Sequence, residues 1–216
     1  MICDVISTGS KGNAVILNGS ILIDCGVSYK KIEPYVKDLK LVLLTHIHSD
    51  HFNRSTLRRL TEERPTLRFG CGEWLVAPLM VEAGVPSDKI DLYRMGKTYR
   101  YPNSEPIIEP IPLTHDVENL GYKIYTNGER AIYATDTFTL DGIDAKGFDL
   151  YMIEANYTED EMAERINRKL EAGEYVYEYR AAAGHLSQEK ADQWLAANAT
   201  PGKSQVVYLH RHEERI

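Results

Sequence analysis

Short apolar runs separated by glycine-bearing turns mark the first part of the chain. The runs lie at 2–6, 14–17 and 21–23, and the segment STGSKGN separates the first two. Runs of this length between turn-forming residues are typical of β-strands, so the pattern predicts a β-meander. Ser28 then predicts the start of a helix that reaches about Lys37, and the fully apolar LVLL at 41–44 predicts a buried strand.

The centre of the chain changes from helical to β-type patterns. Helices are predicted at 55–63 and 73–83, and Gly84 and Pro86 end the second one. Strands are predicted at 107–113, 121–125 and 130–134, and Asn127-Gly128 is a strong two-residue hairpin signal between the last two.

The final third alternates between strands and helices. FDLYMI at 148–153 predicts a buried strand, and helices follow at 159–170 and 187–197 before a last strand at 205–209. The sequence contains no repeat, low-complexity tract or linker, so we expect a single domain over 1–216. Strands flanked by helices in both halves predict two packed sheets with helices outside.

Composition places the chain among globular proteins of the cytoplasm. Hydrophobic residues make up 43% and charged residues 26% of the 216 positions, and the apolar runs are too short to span a bilayer. The start MICDVISTGS lacks the basic segment of a secretory signal, and Cys3, Cys25 and Cys71 form no CxxC motif. The net charge of −7 argues against a broad basic surface, although bound dications reverse the sign locally.

The chemistry concentrates in the segment THIHSDH at 45–51, directly after the predicted strand LVLL. In an extended loop His46 and His48 face the same way, whereas Asp50 and His51 enter a turn and point to a neighbouring position. One segment can therefore serve two metal ions. Four ligands do not complete two sites, so further ligands are expected where other apolar runs end, at His115, Asp136 and His210.

Other roles compete for some of these residues. Ser49 or Asp50 can cap the following helix, and a lone histidine such as His115 is usually solvated or hydrogen-bonded. We interpret Asp24 as an organiser of its loop through backbone N–H groups rather than as a ligand. His212 is an alternative to His210 as the last ligand, and His210 is favoured because it directly follows an apolar run.

THIHSDH resembles the HxHxDH signature of the metallo-β-lactamase superfamily, and Asp24, His115, Asp136 and His210 follow in the order of its other motifs. The resemblance implies an αβ/βα four-layer sandwich of two mixed β-sheets flanked by helices. It also implies two divalent metal ions, Zn²⁺ first and Mn²⁺ or Fe²⁺ as alternatives. In this scheme His46, His48 and His115 hold one ion, Asp50, His51 and His210 hold the other, and Asp136 bridges them.

Four further segments resemble the YycJ (WalJ) branch of this superfamily, which is linked to nuclease activity. They are STGSKGN at 7–13, TDT at 135–137, IEAN at 153–156 and GHLS at 184–187. The pairing of Glu154 with His185 also resembles the tRNA-processing RNase Z enzymes, in which the equivalent histidine contacts the scissile phosphate. The chain departs from the pattern at Tyr157, where a histidine is frequent, and it carries no β-CASP insertion.

Together these features predict roles for the polar residues around the motif. Asp50, Glu154 and His185 are the catalytic candidates, with His185 as proton donor to the leaving oxygen and Glu154 as the residue that orients it. Ser10, Lys11 and Asn13 are candidates for contact with a substrate phosphate, as is His185, although STGSKGN is equally a plain turn. The tyrosines of EYVYEYR at 174–180 either stack on bases or form a half-buried amphipathic surface.

The sequence thus favours a metal-dependent phosphodiesterase, specifically a nuclease with DNA or RNA as its substrate. The alternative is a hydrolase of small thioesters, lactones or β-lactams on the same scaffold. A metal-binding module without catalysis is a third reading, which the complete ligand set disfavours. No membrane partner is expected, and the sequence leaves open whether the chain forms a homo-oligomer.

Overall fold

The computed structural model describes residues 1–102 and 105–211. The chain divides into two compact units, Met1–Tyr99 (unit 1) and Arg100–Ile216 (unit 2). Among the described residues, no helix combines the length and the apolar character needed to cross a membrane. The expectation of one domain over 1–216 stays a prediction.

Unit 1 contains a six-stranded sheet whose strands follow one another in chain order. The strands are β1 (Cys3–Ser7), β2 (Ala14–Leu17), β3 (Ile21–Ile23), β4 (Leu41–Leu43), β5 (Arg68–Cys71) and β6 (Ile90–Leu92). The β1–β2 and β2–β3 pairs are antiparallel, and the pairs from β3 to β6 are parallel. The sheet is therefore mixed, and the predicted meander at its start is confirmed.

The parallel pair β3–β4 determines where polar residues collect in unit 1. Ile23 lies opposite Leu43, and the backbone N–H of Asp24 donates to the Leu43 carbonyl oxygen at 2.8 Å. Because parallel strands end at the same edge of a sheet, the residues that follow β3 and β4 are neighbours. Every residue of β2, β3 and β4 is buried, which makes this edge rigid.

The helices of unit 1 are α1 (Tyr29–Ile32), α2 (Arg54–Glu63) and α3 (Val76–Val81), with 3-10 turns at Glu33–Asp38, Glu73–Leu75 and Ser87–Lys89. Helix α2 begins at Asn53, whose side chain accepts from the Thr56 N–H at 3.1 Å. Leu57 and Leu60 are fully buried in the core of the unit. Their i, i+3 spacing places both side chains on the face of the helix that packs on the core, and the helix predicted at 55–63 is confirmed.

Two predicted helices of unit 1 differ from the structure in their regularity. The helix expected from Ser28 to Lys37 is α-helical only to Ile32, and Pro34 lies in the 3-10 turn that follows. Proline lacks the N–H of an α-helical hydrogen bond, which explains the change. The helix expected at 73–83 likewise starts as a 3-10 turn.

Unit 2 carries a second six-stranded sheet in the order β12-β11-β10-β9-β8-β7. Its strands are β7 (Tyr99–Arg100), β8 (Ile107–Leu113), β9 (Asn119–Thr126), β10 (Glu129–Ala134), β11 (Leu150–Glu154) and β12 (Gln205–Leu209). The β8–β9 and β9–β10 pairs are antiparallel, and β10–β11 and β11–β12 are parallel. Asn127 and Gly128 both have positive φ, 55° and 74°, which confirms the predicted hairpin.

The three parallel strands of unit 2 end together. Ala134 lies opposite Ile153, and Glu154 lies opposite Leu209. The residues at and after these ends therefore gather at one edge of the sheet, as they do in unit 1.

The helices of unit 2 are α4 (Glu159–Ala172), α5 (Glu178–Gly184) and α6 (Gln188–Asn198). Thr158 caps α4 by accepting from the Glu161 N–H, and Ser187 caps α6 by accepting from the Lys190 N–H. Ala191 and Leu195 of α6 pack into the core of the unit. Helix α5 and strands β5, β6 and β7 were not predicted, because they are short and their sequences lack clear periodicity.

Candidate metal centre

The segment from His46 to His51, which we call the histidine loop, leaves the carboxyl end of β4. The ring centroid of His46 lies 4.8 Å from that of His48 and 4.1 Å from that of His51. His46 and His51 are fully buried, whereas His48 and Asp50 are partly exposed. Three imidazoles therefore meet in one loop, and two of its four candidate ligands, His48 and Asp50, are partly exposed to solvent.

One buried carboxylate, that of Asp24, orients two of these imidazoles. Its Oδ2 lies 2.8 Å from Nδ1 of His51, and its Oδ1 accepts from the Thr45 hydroxyl at 2.9 Å. That hydroxyl lies 2.9 Å from Nδ1 of His46. Because the carboxylate only accepts and the hydroxyl proton is already used, both Nδ1 atoms must donate. The lone pairs of His46 and His51 are thereby assigned to Nε2, the arrangement usual for metal-binding histidines with an outer carboxylate.

The same carboxylate also binds a backbone N–H group, which matches the predicted role of Asp24 as an organiser of its loop. Oδ1 of Asp24 also accepts from the Thr45 N–H at 3.0 Å. Thr45 is therefore the link between Asp24 and His46, a role that sequence reasoning missed. Its only signal was its position directly before the motif.

The STGSKGN segment holds the end of the histidine loop. The Asn13 N–H donates to the Asp50 carbonyl oxygen at 2.6 Å, and its Nδ2 lies 2.7 Å from Nε2 of His51. A Cβ placed on Gly26 would lie only 1.7 Å from the same Asp50 oxygen, so backbone packs directly on backbone here. The Asn13 side chain is buried and Ser10 is exposed. Contact of either residue with a substrate stays a prediction. In the structure, Asn13 positions the histidine loop through its hydrogen bonds to Asp50 and His51.

The ends of β10, β11 and β12 bring a second cluster together in unit 2. It consists of Asp136, Glu154, His185 and His210, each of which offers one ligand atom within 4.8 Å of the others. Nε2 of His210 lies 3.2 Å from Oδ1 of Asp136, and the rings of His185 and His210 stack at 5.1 Å between centroids. We call this group the unit 2 cluster. The three strand ends and the turn before α6 thus converge as the alignment of the parallel strands requires.

Two members of this cluster and Asp24 share an unusual backbone conformation. Asp24, Asp136 and His210 have φ values of 56°, 55° and 55°, and each lies one or two residues after the end of a strand that has a parallel neighbour. Left-handed backbone is costly for residues with a Cβ and is most tolerated by Asn, Asp and His. Conformational strain of this type is characteristic of functional sites.

Glu154 and His185 form a close pair at the centre of the unit 2 cluster. Oε1 of Glu154 lies 2.6 Å from Nδ1 of His185, and Oε2 accepts from the backbone N–H groups of Thr137 at 2.9 Å and Leu186 at 3.2 Å. Burial opposes the charged imidazole, but the hydrogen bond and negative charge of Glu154 raise the pKa of His185 above its ordinary value. The side chain of His185 is 20% exposed, so an exposed, inert histidine is not what the structure shows.

His115 lies next to this pair in unit 2. Its Nδ1 donates to the Gly184 carbonyl oxygen at 3.1 Å, and its ring centroid lies 5.2 Å from that of His185. The donated proton assigns the lone pair to Nε2, which is 3.2 Å from a carboxylate oxygen of Asp116. Burial lowers the pKa of His115, which favours the neutral imidazole that a metal requires.

Sequence reasoning missed the amides that hold the unit 2 cluster. Nδ2 of Asn156 lies 2.8 Å from Nδ1 of His210 and 3.0 Å from its carbonyl oxygen. Nδ2 of Asn119 donates to the Asp136 carbonyl oxygen at 2.7 Å. Asn156 belongs to the segment IEAN, so that motif contained a signal, whereas Asn119 stands in an ordinary strand pattern. His212, the alternative last ligand, lies outside the described residues.

The tyrosine-rich segment at 174–180 differs from a half-buried amphipathic surface, one of the two alternatives that its sequence offered. Tyr175, Tyr177 and Tyr179 are 78%, 45% and 57% exposed. The buried residue of the segment is Glu178, whose carboxylate lies 2.8 Å from the Lys169 ammonium. The ion pair explains the difference, because a charged residue takes the inward position and the aromatic rings remain outside.

Both sets of residues have the chemistry of divalent metal ligands. Imidazoles with Nε2 lone pairs and carboxylates are the donors that Zn²⁺ and related ions take in proteins. Buried imidazoles and acids at this density are costly to pack as a core, whereas hydrogen-bonded outer partners such as Asp24 orient ligands for a metal. The residues present therefore fit the ions that the sequence pattern implied.

Comparison with known proteins agrees with this chemistry. The model of the β-lactamase superfamily domain matches residues 20–211. The chain belongs to this superfamily. It is also 29% identical over 206 residues to the exodeoxyribonuclease WalJ of Streptococcus pneumoniae, an alignment that covers 86% of this chain and 72% of WalJ.

Two solved structures show that the fold is that of the metallo-β-lactamases. The metallo-β-lactamase fold protein YhfI from Bacillus subtilis superposes with a TM-score of 0.73 at 16% identity, over 99% of this chain and 87% of YhfI. The short form of human tRNase Z superposes with a TM-score of 0.68 at 14% identity, over 98% of this chain and 93% of the enzyme. The predicted fold class, with two mixed sheets flanked by helices, is confirmed.

Proposed function

We propose that this chain is a metal-dependent phosphodiesterase that cleaves nucleic acid. The observation that carries the proposal is the pair of Glu154 and His185, joined at 2.6 Å beside Asp136 and His210. A histidine whose pKa is raised by a carboxylate is suited to donate a proton to a departing oxygen. The names of two similar proteins, an exodeoxyribonuclease and a tRNase Z, support the same reaction class.

The proposal assigns metal ligation to seven residues, of which Asp50 is also expected to act in catalysis. The ligands are His46, His48, Asp50, His51, His115, Asp136 and His210, with two divalent ions as the cofactor. When bound, such ions supply Lewis acidity toward a phosphate oxygen and lower the pKa of a coordinated water. Zn²⁺ suits the imidazole-rich set, with Mn²⁺ or Fe²⁺ as alternatives.

In this proposal His185 donates the proton to the leaving oxygen. Glu154 accepts from Nδ1 of His185 and leaves Nε2 as the atom that can donate outward. The backbone N–H groups of Thr137 and Leu186 hold the other carboxylate oxygen, so the pair cannot rotate freely. Proton donation by a group held in this way is worth about 10²–10⁴ in rate.

The proposal is tested by the substrate range of the metal-loaded protein. Purified protein loaded with Zn²⁺ or Mn²⁺ is offered single-stranded DNA, duplex DNA, RNA, bis(p-nitrophenyl) phosphate and a panel of lactones, thioesters and β-lactams. Cleavage of the nucleic acids and of the phosphodiester is expected. Hydrolysis of only the lactones, thioesters or β-lactams overturns the proposal in favour of a small-molecule hydrolase.

A matched variant distinguishes the activity of this protein from that of contaminating nucleases. His48→Ala removes a proposed ligand that is partly exposed and therefore contributes little to packing. It is purified in parallel, and its preparation is expected to lack the nuclease activity. If both preparations cleave nucleic acid equally, the activity does not come from this site.

A further inference from the structure

A groove of about 450 Å³ lies on unit 2 beside the unit 2 cluster. Buried Leu140 and Leu186 line it together with Trp194, and Phe138, Lys190 and Gln193 lie on its more exposed parts. We call it the Phe138 groove. It combines an apolar lining with an aromatic ring and the ammonium of Lys190, and the carboxylate of Asp141 also lines it.

The backbone on two sides of the groove is hydrogen-bonded to the carboxylate that holds His185. Oε2 of Glu154 accepts from the N–H of Thr137, and Phe138 is the next residue. The same oxygen accepts from the N–H of Leu186, which lines the groove. One side chain therefore aligns the proposed proton donor and two walls of the groove.

The backbone that carries the Phe138 ring is held by hydrogen bonds. The N–H of Phe138 donates to the Thr114 carbonyl oxygen at 2.8 Å, and the Thr114 N–H donates to the Thr137 hydroxyl at 3.0 Å. The ring is nevertheless 38% exposed, which is high for a phenylalanine held this firmly.

Lys190 completes the recognition chemistry. Its ammonium lies 4.3 Å from the centroid of the Phe138 ring, within the range of a cation–π interaction. The backbone N–H of Lys190 donates to the capping hydroxyl of Ser187 at 3.2 Å, so the first turn of α6 fixes the origin of this side chain. The ring and the ammonium thus lie together in one groove, each on a backbone segment that is held by hydrogen bonds.

We propose that the Phe138 groove binds single-stranded nucleic acid next to the scissile phosphate. A base stacks on the Phe138 ring in place of the Lys190 ammonium, which then pairs with a backbone phosphate. Stacking on an aromatic side chain accepts any base, but bases inside a duplex already stack on each other. The inference rests on the proposed function and adds to it the strandedness of the substrate.

The test measures how tightly a single strand competes for the metal-loaded protein. A phosphorothioate oligonucleotide that resists cleavage is used as an inhibitor of bis(p-nitrophenyl) phosphate hydrolysis, and its Ki is determined. Phe138→Ala is expected to raise Ki about tenfold, whereas Phe138→Trp keeps a stacking surface and should retain tight inhibition. A duplex of the same sequence should inhibit more weakly than the single strand.

The contribution of Lys190 is separated by its salt dependence. Removing one phosphate contact reduces the slope of log Ki against log salt by about 0.7 for a single strand. Lys190→Gln should show this reduction, and Lys190→Arg should not. Lys203→Gln is the matched control, because Lys203 is exposed in the turn before β12, at the opposite end of that strand from His210, and its loss should leave the slope unchanged.

The outcomes distinguish this inference from the function on which it rests. One outcome is that the wild-type protein cleaves single strands while the oligonucleotide inhibits Phe138→Ala and Lys190→Gln with the wild-type Ki. In that case the groove is not the binding site, and the nuclease proposal stands. If bis(p-nitrophenyl) phosphate is hydrolysed and the oligonucleotide does not inhibit, the groove does not bind nucleic acid. If no phosphodiester is hydrolysed at all, the proposed function itself fails.

Discussion

The Nδ1 atom of His185 lies 2.6 Å from Oε1 of Glu154, and the other oxygen of that carboxylate accepts from the backbone N–H of Leu186, the residue that follows His185. The carboxylate therefore holds both the ring and the main chain beside it. Since a buried carboxylate of this type fixes the orientation and the tautomer of its histidine, the pair acts as one unit.

Replacing His185 by alanine should lower the rate without removing metal. We expect kcat for an oligonucleotide to fall about 10²–10⁴-fold, since a general acid contributes this much. Hydrolysis of bis(p-nitrophenyl) phosphate should fall less, because p-nitrophenolate departs without a proton. Steady-state kinetics and elemental analysis on the same preparation measure both effects. Loss of a metal ion from His185→Ala would instead make His185 a ligand.

Replacing Asp24 by asparagine should weaken metal binding, although Asp24 is not a proposed ligand. Asparagine tolerates the left-handed backbone at this position but cannot accept from His51 and Thr45 as a carboxylate does. Loss of such an outer partner typically costs 10–100-fold in affinity, and we expect about that loss. Titration of the metal-stripped protein against a chromophoric chelator measures it.

Thr45 provides the matched pair of controls for that experiment. Thr45→Val removes the hydroxyl that connects Asp24 to His46, and Thr45→Ser retains it. We expect weaker metal binding for the valine variant and near-normal binding for the serine variant. Equal affinities for the two variants would mean that the hydroxyl does not orient His46.

Substitution of the proposed ligands in either unit should remove metal and activity together. Asp136→Asn keeps a side chain that tolerates φ near 55° but loses the negative charge, and His48→Ala removes a partly exposed imidazole. Both variants should fold, retain less than the wild-type content of metal and lose nuclease turnover. Circular dichroism, elemental analysis and an oligonucleotide assay check the three statements. Full metal content in either variant would remove that residue from the ligand set.

Gly26→Ala should destabilise the protein through a steric clash and not through an unfavourable backbone conformation. The new Cβ would lie 1.7 Å from the Asp50 carbonyl oxygen, so the histidine loop must move. We expect a loss of about 3 kcal/mol in the free energy of unfolding, the upper part of the range for overpacking. Urea denaturation measures it.

Gly19→Ala is the comparison for this effect. Gly19 has a positive φ of 66° but no atom within 4 Å of a built Cβ, so only the conformational cost of about 1 kcal/mol is expected. Metal affinity should fall for Gly26→Ala alone, since only that glycine touches the histidine loop. If the two variants are equally stable, the close packing at Gly26 is not required.

The elements that sequence patterns predicted well are those with a single, uninterrupted physical signal. Ala14–Leu17, Ile21–Ile23, Ile107–Leu113 and Gln205–Leu209 match their predicted bounds, because apolar runs between turn residues fix both ends. Strand β5, with the sequence RFGC, was missed since an arginine and a glycine hide its β-character. The helix predicted from Ser28 to Lys37 was too long because the prediction ignored the N–H group that Pro34 lacks.

The site was predictable where chemistry follows a strand and unpredictable where it comes from pairing between distant segments. Asp136 and His210 were recognised as residues after apolar runs, and Glu154 with His185 from a family resemblance. Thr45 and Asn119 act through hydrogen bonds whose partners depend on the alignment of neighbouring strands, and no local pattern encodes that alignment. The burial of Glu178 likewise depends on Lys169, nine positions earlier on another helix.

The positive φ angles at Asp24, Asp136 and His210 impose an order on what random substitution can do at these positions. In a saturation library, valine and isoleucine should be absent from the well-expressed clones at these positions. Side chains branched at Cβ disfavour a positive φ, so these variants are lost through misfolding, whatever their activity. Glycine and asparagine should remain as abundant protein with lowered or no activity. At these three positions, folding selects the shape of the residue first, and reactivity then selects among the few types that pass.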